Sequence, residues 1–535
     1  MAESKTISWS PRGGNNAADA WGSCHVFSSE TTDEQTGVKH RDTIIVDLGQ
    51  EERLYNYMGG QYDMMVPVVT DCVAVPGHDR PAEQDKAKAI FLTHGHSDHI
   101  FGIYAYTEMG AELPPVYGTP FTMTMLRKGF IERGVPEEKW PEMREIHAGE
   151  TVRIGDLSVR SMQASHSIPG ALSFRISNGT ESVFHSGDTK GDETSFLEGG
   201  VDFDDYKKIV EEAPIDFMSF DALAVTKAGH ATYESEVADA YKTIFEENKG
   251  KPVVAVLPAA HLERLASVIA AAQEKGRNVV LNGGPLMDSN LLGLEMAGVN
   301  LQEKFPKTTV VGALNEKAAE LDPEKTVVIT TGIYAEQSSP FVRFLKGDEK
   351  AFDLRSDAVI VAPLTDDKNE QLQTLIDGSE RARNCKRVTA RDFPKMYGGG
   401  HAQKEDFDRI NALLQPKVIA PIHLPTPLAD KFNAYAAAQG LAVFDRQVRN
   451  GDTVTVTPSG CTLFAGEKQE WIGMKHEKGA DGKQKLVETA VFQDEHFARS
   501  DKIERVRRNK VAYYENKAQS LPLPLRHRAK SAGRS

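Results

Sequence analysis

Thr93-His94-Gly95-His96-Ser97-Asp98-His99 decides the reading of this 535-residue chain. The stretch directly follows the apolar run Ala89-Ile90-Phe91-Leu92, so His94, His96, Asp98 and His99 are expected on the loop where a buried strand ends. Neutral imidazole and carboxylate are the donors zinc takes where thiolates are lacking, and Gly95 lets the backbone turn so that neighbouring side chains converge. A loop merely rich in histidine would crowd costly polar groups at a strand end with nothing to satisfy them. The run therefore points to a metal centre.

Composition limits what surrounds it. The four cysteines, Cys24, Cys72, Cys385 and Cys461, have no paired spacing of the zinc-ribbon or disulfide kind, so a metal site must be built from His and Asp. No secretory signal pattern or long apolar run is present, which predicts a cytoplasmic protein with no membrane partner. The net charge of −14 argues against wholesale attraction to nucleic acid, but it is unevenly spread. Residues 499–535 carry eleven Lys and Arg against three acids, a tail of +8, which leaves −22 on the rest. Such a tail suits phosphate backbones; a solubility tail is the plainer reading.

Short Val- and Ile-rich runs recur at 43–46, 89–92, 253–257, 278–281, 326–329, 358–361 and 417–422, and helical patterns such as 262–274 alternate with the later ones. The chain is α/β, with a parallel sheet covered on both faces expected over 225–390. After 464 the composition turns to Gly, Lys, Glu and Gln, and a weakly structured end is expected. The domain reading is 1–224 and 391–464 as two parts of one domain, 225–390 as an insertion, and 465–535 as a polar extension.

More ligand types arrive downstream at strand ends. His166 lies in Ala-Ser-His-Ser-Ile-Pro-Gly, Asp188 in Phe-His-Ser-Gly-Asp-Thr-Lys, and His423 closes Val418-Ile419-Ala420-Pro421-Ile422. Singly each is weak, since a lone buried His is more often a hydrogen-bonded core residue. Together with the first cluster, seven ligands fit two metals.

At this point the chain resembles the metallo-β-lactamase superfamily and, more narrowly, its β-CASP nucleases of the ribonuclease J type, from about Thr43 to about Val456. The resemblance implies an αββα sandwich with an inserted β-CASP domain in the 234 residues between Asp188 and His423; the short basic extension at the end departs from the family, which usually finishes with a compact α/β domain. It implies that His94, His96 and His166 hold one zinc, that Asp98, His99 and His423 hold the other, and that Asp188 bridges them. Manganese or magnesium are the alternative ions. Asp47, in Ile-Val-Asp-Leu-Gly, would brace the ligand loop without touching metal. Asp221 matches the acidic residue of the family's motif A, and His401, in Gly398-Gly399-Gly400-His401, the histidine of motif B. Three stretches depart from the family pattern: Asp221-Ala222-Leu223 replaces Asp-Ser-Thr, Gly399 stands where a serine is usual, and 331–336 reads Thr-Gly-Ile-Tyr-Ala-Glu in place of Thr-Gly-Ser-Gln-Gly-Glu.

The implied activity is metal-dependent hydrolysis of RNA, as a 5′-to-3′ exonuclease, an endonuclease or both. A metal-activated hydroxide would attack the phosphodiester, and Asp98 and Asp188 would be catalytic as well as ligating. Asp221 would orient His401, which binds a phosphate oxygen or protonates the leaving group, with the Gly399 and Gly400 amides close to the phosphate. Single-stranded RNA, with or without a 5′-monophosphate, is the expected partner, and homo-oligomer formation is left open. The competing readings are a hydrolase of small phosphodiesters or thioesters, and a catalytically weakened RNA-binding β-CASP protein.

Overall fold

The computed structural model describes residues 3–15, 21–33, 35–51, 63–348, 357–363, 369–466, 469–478 and 484–493. The basic tail at 499–535 lies outside these residues.

Alternation along the strands builds the first two sheets. In Lys39–Leu48, Ile44 and Val46 point to one face and Ile45 and Leu48 to the other, so this strand is apolar on both sides. It lies inside an eight-stranded sheet ordered Gly460–Phe464, Thr453–Thr457, Glu3–Gly13, Cys24–Asp33, Lys39–Leu48, Ala87–Phe91, Val116–Gly118, Met143–Glu145. A six-stranded sheet, ordered Val418–Ile422, Phe217–Asp221, Ser182–His185, Leu172–Ser177, Leu157–Gln163, Thr151–Ile154, faces it. Trp9, Phe27, Ile44, Val46 and Phe91 from the first sheet pack on Val159, Phe174, Ile176, Val183 and Phe217 from the second. Each fully buried Phe in this interleaf contributes roughly 1.5–3 kcal/mol relative to exposure.

Both outer faces are covered by helices. Ile100, Ile103 and Tyr104 of helix Ser97–Glu108, with Leu126 and Phe130 of Pro120–Glu132, cover Ile45, Ile90 and Leu92. Tyr206 and Ile209 of Phe203–Glu212, Phe407 and Ile410 of Lys404–Leu414, and Phe432 of Thr426–Ala438 cover Phe184, Met218 and Phe220. The order of layers is helix, sheet, sheet, helix.

A third sheet has six strands, all parallel, in the order Val310–Gly312, Asn278–Asn282, Thr326–Thr331, Val253–Leu257, Val359–Val361, Lys386–Val388. Val253, Ala255 and Leu257 face one apolar core and Val254 and Val256 another, as a parallel sheet with both faces covered requires.

The weakly structured end expected after 464 is not what the structure shows over 469–478 and 484–493. Glu470–Lys478 and Gln484–Gln493 pair as a hairpin, and the former also pairs with Met64–Pro67. Trp471, Ile472 and Met474 are buried, the last two in the core beneath helix Ser97–Glu108. The Trp471 ring lies so close to Gly22 (φ +77°) that a Cβ there would meet it at 2.8 Å. The mean composition of the segment hid a short run of large apolar residues. No helix among the described residues is long and apolar enough to cross a membrane.

Candidate metal centre

Strand Ala87–Phe91 runs parallel to Lys39–Leu48, so their carboxyl ends deliver His94 and Asp47 to the same edge. Helix Ser97–Glu108 begins at once, with His96 at its N-cap and Asp98 and His99 in its first turn. Strand end plus first helical turn thus make the side chains converge. Gly95 is not what allows it: its φ is not positive, and a Cβ there would make ordinary contact with Met125 at 3.5 Å.

The second sheet supplies the other side. Asp188 follows Ser182–His185, Asp221 ends Phe217–Asp221 and His423 follows Val418–Ile422, and these three strands are parallel neighbours. Asp188 Oδ2 is the hub, with His99 Nε2 at 3.3 Å, His423 Nε2 at 3.5 Å, His166 Nε2 at 3.8 Å and His94 Nε2 at 4.0 Å. The donor atoms of His94, His96 and His166 lie within 4.8 Å of one another, and so do those of Asp98, His99, Asp188 and His423. The structure brings all seven candidate ligands together in two adjoining groups.

Outer contacts aim the rings. Asp47, at the strained φ of 59°, accepts from the Thr93 amide and hydroxyl at 2.8 Å each and from His99 Nδ1 at 2.8 Å, which turns His99 Nε2 toward Asp188. His166 Nδ1 donates to the Gly400 carbonyl at 2.8 Å, leaving Nε2 for the centre. His423 also has a positive φ, 58°, and packs edge-on to Trp21 at 5.8 Å.

The donor set fits metal. Burial, reinforced by the neighbouring rings, holds His94 and His166 well below the usual imidazole range and takes His96 and His423 to about 4, so these are neutral donors. Burial works against the charge of Asp188, but His99, which Asp188 and Asp47 favour in its charged form, keeps it ionised. Among the described residues, neither ring nitrogen of the buried His423 has a hydrogen-bond partner. A buried imidazole with no partner is costly, and a cation beside Asp188 would satisfy it.

His401 stands over this centre. Its Nδ1 is 2.8 Å from Asp221 Oδ2 and 4.0 Å from Asp188 Oδ2, and its ring stacks on His423 at 5.1 Å. Burial disfavours its charge, yet Asp221 raises it to about 9. The glycines before it differ in purpose. A Cβ at Gly398 would come within 2.5 Å of Thr232 Cβ and one at Gly400 within 2.5 Å of His166 Nδ1, so both positions require close approach. Gly399 is exposed, and a Cβ there would meet only the His401 amide at 4.0 Å.

Sequence reading missed a buried charge cluster beneath this loop. Glu234 accepts from Arg264 Nε at 3.0 Å and Nη2 at 3.1 Å, from Lys190 Nζ at 3.0 Å and from Ser267 Oγ at 2.7 Å. Lys190 also pairs with Asp192 at 3.1 Å, and Arg264 Nη2 donates to the Gly398 carbonyl at 3.1 Å. Lys190 is two residues past Asp188, whereas Arg264 belongs to helix Leu262–Glu274 beside the parallel sheet. The cluster therefore ties the metal loop, the parallel-sheet region and the His401 loop together. Its only sequence signal was the Lys190 position next to a ligand.

Comparison with known proteins agrees with this geometry. Residues 65–247 match the family described as beta-lactamase superfamily domain, and residues 249–373 match ribonuclease J, beta-CASP domain. The chain is a metallo-β-lactamase-fold protein carrying a β-CASP domain. Among curated relatives, it is 24% identical over 396 residues to ribonuclease J of Mycolicibacterium smegmatis, covering 71% of this chain and 67% of that protein. It is 23% identical over 386 residues to ribonuclease J2 of Bacillus subtilis, covering 71% and 65%. The chain thus spans about two thirds of the length of these relatives. A crystal structure of a protein of unknown function from Enterococcus faecalis V583 matches with a TM-score of 0.53 at 17% identity, over 84% of this chain and 100% of that one, a likeness of fold.

Proposed function

We propose that this chain is a metal-dependent phosphodiesterase that cuts single-stranded RNA, as the relatives named ribonuclease J suggest. The observation that carries the proposal is the convergence of seven His and Asp donors, Asp188 among them as the hub, with His401 directly above them. His94, His96 and His166 would hold one ion, Asp98, His99 and His423 the other, and Asp188 would contact both. Two zinc ions, or manganese in their place, would supply Lewis acidity and an activated water for attack on phosphorus.

The chain's own residues do the rest. Asp221 holds His401 at Nδ1 and favours its charged form, so that Nε2 is presented to a nonbridging phosphate oxygen or to the leaving oxygen. Asp221 accepts as well from the Thr189 and Leu223 amides at 3.2 Å each, which fixes its carboxylate before substrate arrives. Open space at Gly399 admits the backbone of a polymer beside His401.

Metal-loaded protein incubated with 5′-monophosphorylated, 5′-triphosphorylated and circular single-stranded RNA tests the reading. Mononucleotides from the linear RNAs mark exonuclease action and cutting of the circle marks endonuclease action. No cutting of any of the three would overturn it.

A further inference from the structure

The parallel sheet meets the metal centre through the carboxyl ends of its strands. After Val253–Leu257 the chain enters helix Leu262–Glu274, whose Glu263 amide donates to the Ser167 carbonyl at 3.1 Å, next to His166. Thr326–Thr331 is the neighbouring strand, with Thr331 opposite Leu257. Crevices at such carboxyl ends are where open α/β sheets take their ligands. Three residues past Thr331 stands Tyr334, 56% exposed. Its hydroxyl lies 3.4 Å from that of Tyr397, which is four residues before His401 in a loop pinned by Arg264 at Gly398.

An exposed tyrosine in this position is held, not loose. The Tyr334 amide donates to Glu336 Oε2 at 3.0 Å, the next residue, Ala335, is buried at φ 59°, and the Asn369 side chain donates to the Ile333 carbonyl at 2.8 Å. A non-glycine residue in the left-handed region persists only where its surroundings enforce it. The enforced backbone fixes the point from which the exposed ring projects, and the ring's hydroxyl lies against that of Tyr397. Tyr397 in turn connects the platform to the loop that carries the open Gly399 and His401.

We propose that Tyr334, positioned by Tyr397, is a nucleobase-stacking subsite that grips a base of the single strand while its phosphate lies at His401. This rests on the reading of the chain as an RNA phosphodiesterase. A π-face accepts any base, so the subsite confers preference for unpaired strand over duplex without choosing sequence. Loss of one stacked base corresponds to roughly a five- to hundred-fold loss of affinity.

Two measurements test it. In steady-state cleavage of a single-stranded oligoribonucleotide, Tyr334→Ala is expected to raise KM by about tenfold with little change in kcat, and Tyr334→Phe, which keeps the ring but loses the contact with Tyr397, to raise it by clearly less. Replacing the stacked nucleotide with an abasic one should raise the wild-type KM equally and leave Tyr334→Ala unmoved. Independently of cleavage, oligoribonucleotides carrying a fluorescent purine analogue at successive positions should show quenching at one position with wild type and none there with Tyr334→Ala. Active protein with an unchanged KM in Tyr334→Ala, or an equal loss in Tyr334→Phe, would overturn the subsite, and so would absent quenching. Quenching without cleavage would leave the subsite standing and remove the phosphodiesterase reading instead.

Discussion

His401 Nδ1 lies 2.8 Å from Asp221 Oδ2, joining a glycine-rich loop to the end of a central strand across 180 positions of sequence. The bond sets which ring nitrogen faces the centre and keeps the ring charged. His401→Ala should therefore retain both metals by elemental analysis and lose roughly a hundred- to ten-thousand-fold in kcat. Asp221→Asn should fall in the same direction by less, because an amide still accepts a hydrogen bond but supplies no charge. Wild-type rates in metal-replete His401→Ala would remove the residue from the chemistry.

The Glu234–Arg264 pair predicts a stability effect that is also positional. Removing one partner of a buried, hydrogen-bonded ion pair costs about 3–5 kcal/mol. Arg264→Met should lower the melting temperature accordingly and raise KM for RNA, since the Gly398 carbonyl loses its donor. Arg264→Lys restores charge but not the fork that reaches both Glu234 oxygens and Gly398, so it should rescue poorly. Full rescue by lysine would show that charge alone matters.

Glu263 gives the stability a pH dependence. Burial raises its carboxyl to about 7, against the opposing bonds from Ser195 Oγ at 2.8 Å and the Phe196 amide at 3.0 Å. The folded state therefore binds the proton more tightly than the unfolded state, whose reference is 4.5. The associated stability is fully present below that value and is lost as pH rises through about 7, on the order of 3 kcal/mol. Glu263→Gln should flatten the denaturation midpoint between pH 5 and 8 relative to wild type. Parallel curves for the two proteins would refute the assignment.

Residues 499–535 carry a charge of +8 on a chain that is otherwise acidic. If the tail contacts phosphates, its deletion should weaken RNA binding and make the plot of log affinity against log salt shallower. An equal slope in filter-binding titrations would exclude it from the interface.

Much of the fold was readable because its signals are local. The Val-rich runs at 253–257, 278–281 and 326–329 became adjacent parallel strands, and His94, His96, Asp98 and His99 came at a strand end as expected, although the first turn of a helix and not a loop carries Asp98 and His99. Long-range pairings were not readable. Glu3–Gly13 and Cys24–Asp33 alternate with polar residues and gave no apolar run, yet they pair along their length in the large sheet. Lys190, Glu234 and Arg264 look like surface charges in sequence, because charges are rarely buried unless partnered, and the partner is visible only once the fold brings it near. The pairing of Glu470–Lys478 with Gln484–Gln493 was obscured by the polar composition of this part of the sequence, although Trp471, Ile472 and Met474 are buried.

The central claim is that two metal ions held around Asp188 make this chain an RNA phosphodiesterase. The most direct measurement is the initial rate of single-stranded RNA cleavage as zinc or manganese is titrated into metal-stripped protein. The account predicts a rate that rises to saturation at two equivalents in wild type and stays at background in Asp188→Asn. Cleavage in the stripped protein, saturation at one equivalent, or no cleavage at any loading would contradict it.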